Sequence, residues 1–269
     1  MAPGSVERFA ADRFGRPDAI AHASSPSAAP VFASGRRFAV DAGGEQLAVW
    51  EWGAGPTILL VHGWNGQARQ LARLVPPLVA AGYQVVAFDQ PAHGASTGAR
   101  TNLVELSRAV EAVARKVAPV HGVIAHSLGA TATALAVARG LHVERAVLIA
   151  PPAEVEHYTS GFAAALGLSP ARAAGMLAHI ERTIGVPASS LDVRRLAPLQ
   201  QTPLLVLHDP HDREVPFAHG QAIAQAWPGA RLLRLHKLGH RRMLADAKTI
   251  DAAISFVRGG DPQLERRSA

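Results

Sequence analysis

The sequence predicts an α/β fold, in which a mostly parallel eight-stranded sheet is flanked by helices and carries a small helical insertion. Short runs rich in Val, Ile and Leu alternate along the chain with longer segments of helical periodicity. Parallel strands need such crossover segments between them, so the alternation favours a mainly parallel sheet. The chain has 269 residues, 48% of them hydrophobic, which suits one large domain with a sizeable core.

The composition excludes several classes of protein. There is no cysteine, so neither disulfides nor thiolate metal sites can form. No apolar run approaches the roughly 20 residues that cross a bilayer, and the N-terminal segment carries Glu7 and Asp12 without the apolar stretch of a secretory signal. We therefore expect a cytoplasmic protein with no membrane span. The sequence contains no feature that indicates an oligomeric state.

The net charge of +6 comes mainly from scattered arginines, which form pairs but no long basic run. Nucleic-acid binding normally needs basic residues clustered on one face together with a recognisable module. We therefore expect no nucleic-acid partner, and we interpret the arginines as a solvated surface that weakly attracts anionic substrates.

The first 35 residues are predicted to be peripheral to the core. Residues 5–14 have the spacing of a short amphipathic helix, with Val6, Phe9, Ala10 and Phe14 on one side. Residues 21–30, AHASSPSAAP, have the composition of a linker. The predicted core comprises residues 36–150 and 201–258, and residues 259–269 form a charged tail.

Eight segments have the composition of strands: 37–42, 46–52, 57–61, 85–88, 120–125, 145–150, 202–207 and 231–236. The first two flank a Gly-Gly turn and predict an antiparallel hairpin. Helical spacing predicts core helices over 67–81, with a break at its Pro-Pro pair, and over 103–117 and 246–258. Residues 151–200 form an insertion with shorter predicted helices over 158–166, 170–184 and 190–196.

The stretch from residue 120 to residue 140, VHGVIAHSLGATATALAVARG, predicts a strand, a tight turn and a helix. Ser127 lies on the turn, with the small residues Ala125 and Gly129 two positions to either side. A sharp strand-to-helix bend exposes the central side chain above the sheet, and the free N–H groups of the following helix face any anion that forms there.

Polar residues also follow other predicted strands directly. His62-Gly63-Trp64 follows the third, the loop DQPAHGAS from Asp89 follows the fourth, the string HDPHDREVP follows the seventh, and Gly-His240 follows the eighth.

The two histidines and two aspartates of HDPHD could suggest a metal site. No matching histidine-rich motif lies elsewhere in the chain, so we expect no metal.

These motifs resemble those of the α/β-hydrolase family. Ala125-His-Ser127-Leu-Gly129 is similar to its G-x-S-x-G nucleophile elbow, with alanine in place of the first glycine. His62-Gly63-Trp64 resembles its H-G-x loop, and the Asp89 loop resembles its D-x-x-G-x-G-x-S loop. The resemblance implies that the insertion is a lid, although a pair of packing helices with no gating role fits the same pattern.

The resemblance implies a role for each matching residue. Ser127 would be the nucleophile, His240 its base, and Asp212, whose Val215-Pro216 context resembles D-x-x-V-P, the acid that orients the histidine. Asp209 also follows the strand and is the backup acid. The backbone N–H groups of two further residues, Trp64 and Leu128, would hold the oxyanion.

Three further side chains are expected to have structural roles. We interpret the side chain of His62 as a packed, hydrogen-bonded core histidine, and those of Asp89 and Ser96 as fixing their loop through backbone contacts.

The implied activity is that of a serine hydrolase without a cofactor, which cleaves a carboxylic ester or thioester of a small acyl substrate through an acyl-enzyme. The same triad could instead cleave lactones or amides or transfer acyl groups. The third hypothesis is a non-catalytic binding protein on a hydrolase scaffold, because a fold alone does not determine the reaction.

Overall fold

The computed structural model describes residues 4–18 and 28–260 and confirms the predicted fold class. One sheet of eight strands has the order β1-β2-β4-β3-β5-β6-β7-β8. The pairs β1–β2 and β2–β4 are antiparallel, and all the other pairs are parallel. The strands are β1 (Arg36–Asp41), β2 (Gln46–Trp52), β3 (Thr57–Val61), β4 (Gln84–Phe88), β5 (Val120–His126), β6 (Arg145–Ile149), β7 (Leu204–His208) and β8 (Arg231–Arg234).

Helices cover both faces of the sheet. Successive side chains of a strand point to opposite faces, so Leu59 and Val61 of β3 pack in one apolar layer while Ile58 and Leu60 pack in the other. The α-helices of the described residues are α1 (Ser5–Phe14), α2 (Ala28–Ser34), α3 (Val75–Ala80), α4 (Leu103–Val117), α5 (Leu128–Ala138), α6 (Glu156–Ala165), α7 (Pro170–Ile184), α8 (Val193–Leu196), α9 (Phe217–Ala226), α10 (Gly239–Arg242) and α11 (Ala247–Val257).

The 3₁₀ segments explain some differences from the predicted elements. They are Ala68–Leu74, Ala188–Leu191, Ala197–Leu199 and Met243–Ala245. The predicted helix over 67–81 is a 3₁₀ segment followed by α3, because its two prolines are accommodated only in the first turn of a new helix. Strand β7 begins two residues later than predicted, after Pro203, which has no N–H to donate.

Helix α2 is a correction to the sequence analysis, which assigned residues 21–30 to a linker. Residues 28–34 are helical, and Phe32 packs edge-on against Trp50 and Trp52, with ring centroids 5.2 and 5.0 Å away. Burial against strand β2 therefore stabilises a helix that has little periodicity of its own. Residues 19–27 of the predicted linker and 261–269 of the predicted tail lie outside the described residues.

Helix α1 packs on α6 and α7 of the insertion, and the three helices share a small apolar core of Ala10, Ala11, Ala163 and Met176. The ring centroids of Phe14 and Phe162 lie 5.3 Å apart. The expected apolar side of α1 was partly wrong, because Phe9 is 70% exposed and the buried residues of the helix are the two alanines.

Candidate active site

The strand–helix turn holds Ser127 in a strained backbone conformation at the end of β5. Its φ of 54° and ψ of −131° are rare for a residue with a side chain. The conformation is held by the Ser127 N–H, which donates to the carbonyl of Ile149 at 2.9 Å, and by the Ser127 carbonyl, which accepts from the N–H of Ala130 at 2.8 Å. The side chain therefore stands at the N-terminus of α5.

Gly129 is required by a close approach of the backbone. A Cβ atom at this position would lie 2.1 Å from the carbonyl oxygen of His62, a distance that no packing adjustment of a side chain can relieve. Position 125, where the sequence departs from the glycine of the family pattern, is different, because Ala125 is fully buried within β5. The turn therefore needs a glycine on one side of Ser127 and accepts an alanine on the other.

Three distant side chains meet above the carboxyl ends of the strands. The hydroxyl of Ser127 lies 2.9 Å from Nε2 of His240, and Nδ1 of His240 lies 2.7 Å from Oδ2 of Asp212. The histidine is 8% exposed, and the carboxylate is fully buried. With its proton on Nδ1, the imidazole donates to Asp212 and leaves Nε2 free to accept from Ser127.

The carboxylate of Asp212 is held ionised. Burial by itself would raise the pKa of Asp212, but hydrogen bonds from His208 and His240, together with backbone N–H groups, outweigh burial and hold this pKa well below its usual range. Oδ1 accepts from the N–H groups of Glu214 and Val215 at 2.8 and 3.0 Å. The acid therefore keeps its charge and presents its other oxygen to the imidazole.

Asp209, the backup acid, contacts the loop before His240 rather than its ring. Oδ2 accepts from the N–H groups of Leu238 and Gly239, the latter at 2.7 Å, and Oδ1 accepts from the N–H of His211 at 2.8 Å. Burial opposes ionisation here too, but these hydrogen bonds outweigh it and lower the pKa of Asp209. Of the two candidates, Asp212 makes the contact with the imidazole.

The loop after β3 lies directly against Ser127, since a Cβ atom on Gly63 would be 2.7 Å from the Cβ of that serine. Neighbouring N–H groups are engaged elsewhere: that of Gly66 donates to the carbonyl of Gly63 at 3.1 Å. Within residues 4–18 and 28–260, no acceptor is present for the N–H groups of Trp64 and Leu128. One of these donors is on the residue that follows Ser127, and the other is on the residue that follows Gly63, which lies against the serine.

His62 and Asp89 have the structural surroundings that the sequence predicted. His62 is buried, with Nδ1 donating to the carbonyl of Gly63 and Nε2 accepting from the N–H of Gln90, and burial lowers its pKa to about 4. Asp89 accepts from the N–H groups of Ala68 and Ala95.

Ser96 completes that loop by bonding to backbone groups of Asp89, just after β4, and of Ala48 on β2. Its hydroxyl donates to the carbonyl of Asp89 at 2.6 Å and accepts from the N–H of Ala48 at 2.9 Å. The loop between β4 and α4 is therefore fastened to β2 next to it.

His126, which the sequence analysis did not single out, contacts His240 through a hydrogen bond and its ring. Its Nε2 donates to the carbonyl of His240 at 3.0 Å, and the two rings lie 4.6 Å apart. Burial, and then the nearby His240, lower the pKa of His126 to about 3. A neutral ring at this position adds no charge beside His240. Its location immediately before Ser127 is the feature of the sequence that could have indicated this contact.

The HDPHD string does not converge on a metal position. His208 is fully buried and donates from Nε2 to the carbonyl of Val215, whereas the side chain of His211 is 65% exposed. Within the part of the chain that the structure describes, no three His, Asp or Glu side chains are arranged to hold a metal ion. No helix in that same part is long and apolar enough to cross a bilayer.

A cavity of about 820 Å³ opens above Ser127. The core, the insertion and the N-terminal segment each contribute to its wall, and this contribution of α1 was not predicted. The larger apolar side chains that line it are Phe14, Trp64, Leu103, Leu128, Val155, Leu177, Ile180, Ile184, Leu191, Val215 and Leu244. The charged ones are Asp12, Arg69, Arg73, Arg100, Glu105, Glu214 and Arg241. The serine therefore lies at the base of a chamber large enough for a small organic molecule.

The fold and the strand–helix turn with its serine define the class to which this chain belongs. A sequence model described as the alpha/beta hydrolase family matches residues 58–252, which is most of the chain. The chain therefore belongs to the alpha/beta hydrolase family, and it is a hydrolase of that family. A search of curated protein sequences finds no match.

Solved structures with the same fold cover most of the chain. An esterase from Exiguobacterium antarcticum has a TM-score of 0.65 at 16% identity, covering 83% of this chain and 100% of its own. A putative lipase from Acinetobacter baumannii has a TM-score of 0.66 at 18% identity, covering 90% and 98%. The thioesterase domain from the curacin biosynthetic pathway has a TM-score of 0.60 at 19% identity, covering 84% and 99%. At these identities the likeness is one of fold.

Proposed function

We propose that this hydrolase cleaves carboxylic esters or thioesters of small acyl substrates through an acyl-enzyme on Ser127. The proposal is carried by the two hydrogen bonds, of 2.9 and 2.7 Å, that join Ser127 through His240 to Asp212. A hydroxyl is a weak nucleophile by itself, and an adjacent base that is oriented by a third group activates it.

The reaction follows from this geometry. As Oγ of Ser127 bonds to the carbonyl carbon, its proton passes to Nε2 of His240, and the charge of Asp212 stabilises the imidazolium. The tetrahedral intermediate collapses, its bond to the leaving oxygen or sulfur breaks, and the alcohol or thiol takes the proton from His240. Water then attacks the acyl-enzyme with His240 as base, which releases the acid and regenerates Ser127.

The oxyanion is stabilised, in this proposal, by the backbone N–H groups of Trp64 and Leu128. Both lie on the segments that flank Ser127, and neither has an acceptor among the described residues. Such donors act on charge that exists only after the carbonyl has been attacked, so they lower the barrier rather than tighten substrate binding. The N-terminus of α5 adds a favourable dipole at the same point.

The cavity supports an acyl substrate rather than a large polymer. Its volume of about 820 Å³ lies within the range of small-molecule pockets, and apolar side chains line much of its wall. The insertion over residues 151–200 contributes Val155, Tyr158 and Leu177 to this wall. We assign the insertion to a lid over the core formed by residues 36–150 and 201–258, because its helices line the cavity that contains Ser127 and a lid there would shield the reaction from water.

The test is hydrolysis of p-nitrophenyl esters and acyl thioesters of increasing chain length by the purified protein. The Ser127→Ala variant should lose this activity and its labelling by a fluorophosphonate probe. Ser160→Ala, at an exposed position of α6, is the matched control and should retain both. Equal turnover by Ser127→Ala and the parent protein would refute the assignment. A folded parent that hydrolyses nothing and takes up no probe would favour a binding protein.

A further inference from the structure

The N-terminal segment, residues 4–18, lies across the cavity although it precedes the family match by 40 residues. Asp12 and Phe14 line the cavity directly. The segment is anchored to the core beside the cavity, where the N–H of Thr101 donates to the carbonyl of Gly15 at 2.9 Å and Arg100 forms an ion pair with Asp12. This segment is therefore part of the wall of the site and not a loose extension.

The same segment forms a reciprocal hydrogen-bonded pair with the residue that follows Trp64. The backbone N–H of Asp18 donates to Oδ1 of Asn65 at 2.8 Å, and Nδ2 of Asn65 donates to Oδ2 of Asp18 at 3.2 Å. The side-chain amide of Asn65 thus uses both its acceptor and its donor on one residue that is 47 positions away in sequence. Such a paired contact restricts both the position and the rotation of the amide.

Asn65 also has an unusual backbone. Its φ of 54° lies in the left-handed region, which asparagine adopts more readily than most residues. Its N–H donates to Nε2 of His93 at 3.1 Å, and the turn is closed by the bond from Gly66 to Gly63. The loop that contains the Trp64 N–H is therefore fixed at its next residue from two directions, by His93 within the core and by Asp18 from the N-terminal segment.

We propose that Asp18 and Asn65 are positioning residues, which hold the Trp64 N–H where the oxyanion forms and so make the N-terminal segment part of the catalytic apparatus. This inference rests on the proposed function. An oxyanion donor acts only over hydrogen-bond distances, so a loop that shifts by a fraction of an ångström loses stabilisation of the transition state before it loses substrate binding. Disturbing the pair should therefore lower kcat and leave KM largely unchanged.

The decisive variant is Asn65→Asp. Aspartate also tolerates the left-handed region, so the backbone is preserved, but the donor is lost and two carboxylates face each other. We expect kcat for p-nitrophenyl acetate to fall about 10- to 100-fold, which is a smaller fall than removal of a whole oxyanion donor causes. Combining Asp18→Asn with Asn65→Asp restores one donor and one acceptor in exchanged order and should recover most of the loss.

Asp18→Asn alone is the second single variant of this cycle, and because its new amide oxygen still accepts from Asn65, we expect a smaller fall in kcat than in Asn65→Asp. It also removes the ion pair between Asp18 and Arg13, so it measures what that contact contributes. If Asn65→Asp does not fold, Asn65→Gly takes its place, since glycine keeps the left-handed backbone and removes only the amide. That variant should show the same fall in kcat, and adding Asp18→Asn should not rescue it.

The outcomes separate this inference from the proposed function. An unchanged kcat in Asn65→Asp, or a fall that the double variant does not reverse, overturns the positioning role while Ser127→Ala remains inactive. Full turnover by Ser127→Ala refutes the proposed function itself. A fall in kcat at constant KM, reversed by the exchanged pair, supports the positioning role, because a purely structural contact would change the melting temperature without that kinetic pattern.

Discussion

Replacing Asp212 with asparagine tests how the site sets the proton on His240. Oδ1 of Asp212 accepts from two backbone N–H groups, at 2.8 and 3.0 Å, so an asparagine must keep its oxygen on that side. Its NH₂ group then faces Nδ1 of His240, where a carboxylate oxygen lies at 2.7 Å. Two N–H groups cannot share that contact, so the ring proton moves to Nε2.

The expected loss follows from that change of tautomer. With its proton on Nε2, His240 can no longer accept from the hydroxyl of Ser127, which lies 2.9 Å away. The equivalent change in a serine protease lowers kcat about 10⁴-fold, or about 5.4 kcal/mol of transition-state stabilisation. We expect a loss of that order here. Because the two side chains are nearly equal in size, the free energy of unfolding should change by much less than the roughly 5.4 kcal/mol expected for the activation barrier.

Asp209→Asn is the matched comparison. An amide at this position keeps its oxygen towards Leu238 and Gly239 and loses the bond from the N–H of His211. We expect only about a tenfold fall in kcat together with about 1 kcal/mol of lost stability, because the donor left without its acceptor is only partly buried. The assay is kcat on p-nitrophenyl butyrate with a thermal melt of each variant. A larger fall in kcat for Asp209→Asn than for Asp212→Asn would refute this reasoning.

Two predictions concern stability. Gly129→Ala places a methyl group against the carbonyl of His62 and should lower the free energy of unfolding in urea by about 3 kcal/mol or more. The control is Gly161→Ala, which has nothing within 4 Å of its Cβ position and should be neutral or stabilising. Equal unfolding midpoints for the two variants would contradict the close approach at Gly129. The pKa of His126 is lowered to about 3 in the folded chain, against about 6.5 in the unfolded chain. Between these two pH values only the unfolded chain binds the proton, so the free energy of unfolding falls as the pH drops from about 6.5 to about 3. His126→Gln, which keeps a donor for the carbonyl of His240, should flatten melting temperature against pH over this range, and an unchanged slope would show that His126 is not buried and neutral.

The sheet could be predicted from the sequence because its strands are self-contained. Each of β3 to β7 is a short apolar run, and parallel strands place their carboxyl ends at one edge. Residues that follow different strands, such as Ser127 and His240, are therefore brought to that edge whatever their separation in the chain. This rule places groups near one another, and the hydrogen-bond distances depend on packing that it does not describe.

Features that depend on distant packing could not be predicted. Residues 28–34 form a helix because Phe32 is buried against Trp50 and Trp52, which belong to another element. The N-terminal helix was predicted over the right residues, yet its role as a wall of the cavity depends on α6 and α7, more than 140 positions away. A local pattern shows which face of a helix is apolar, and even this was incomplete for α1, whose Phe9 is exposed.

The choice between Asp209 and Asp212 shows where sequence spacing acquires a physical meaning. Both carboxylates follow β7, and both accept backbone N–H groups, so composition alone does not separate them. The D-x-x-V-P spacing separates them because the N–H groups of Glu214 and Val215 close a turn on Oδ1 of Asp212 and leave Oδ2 directed at His240. Asp209 instead accepts from the consecutive backbone N–H groups of Leu238 and Gly239, so one acid orients the imidazole ring while the other holds the backbone that carries it. Loss of either should therefore affect catalysis, but only loss of Asp212 should change the tautomer.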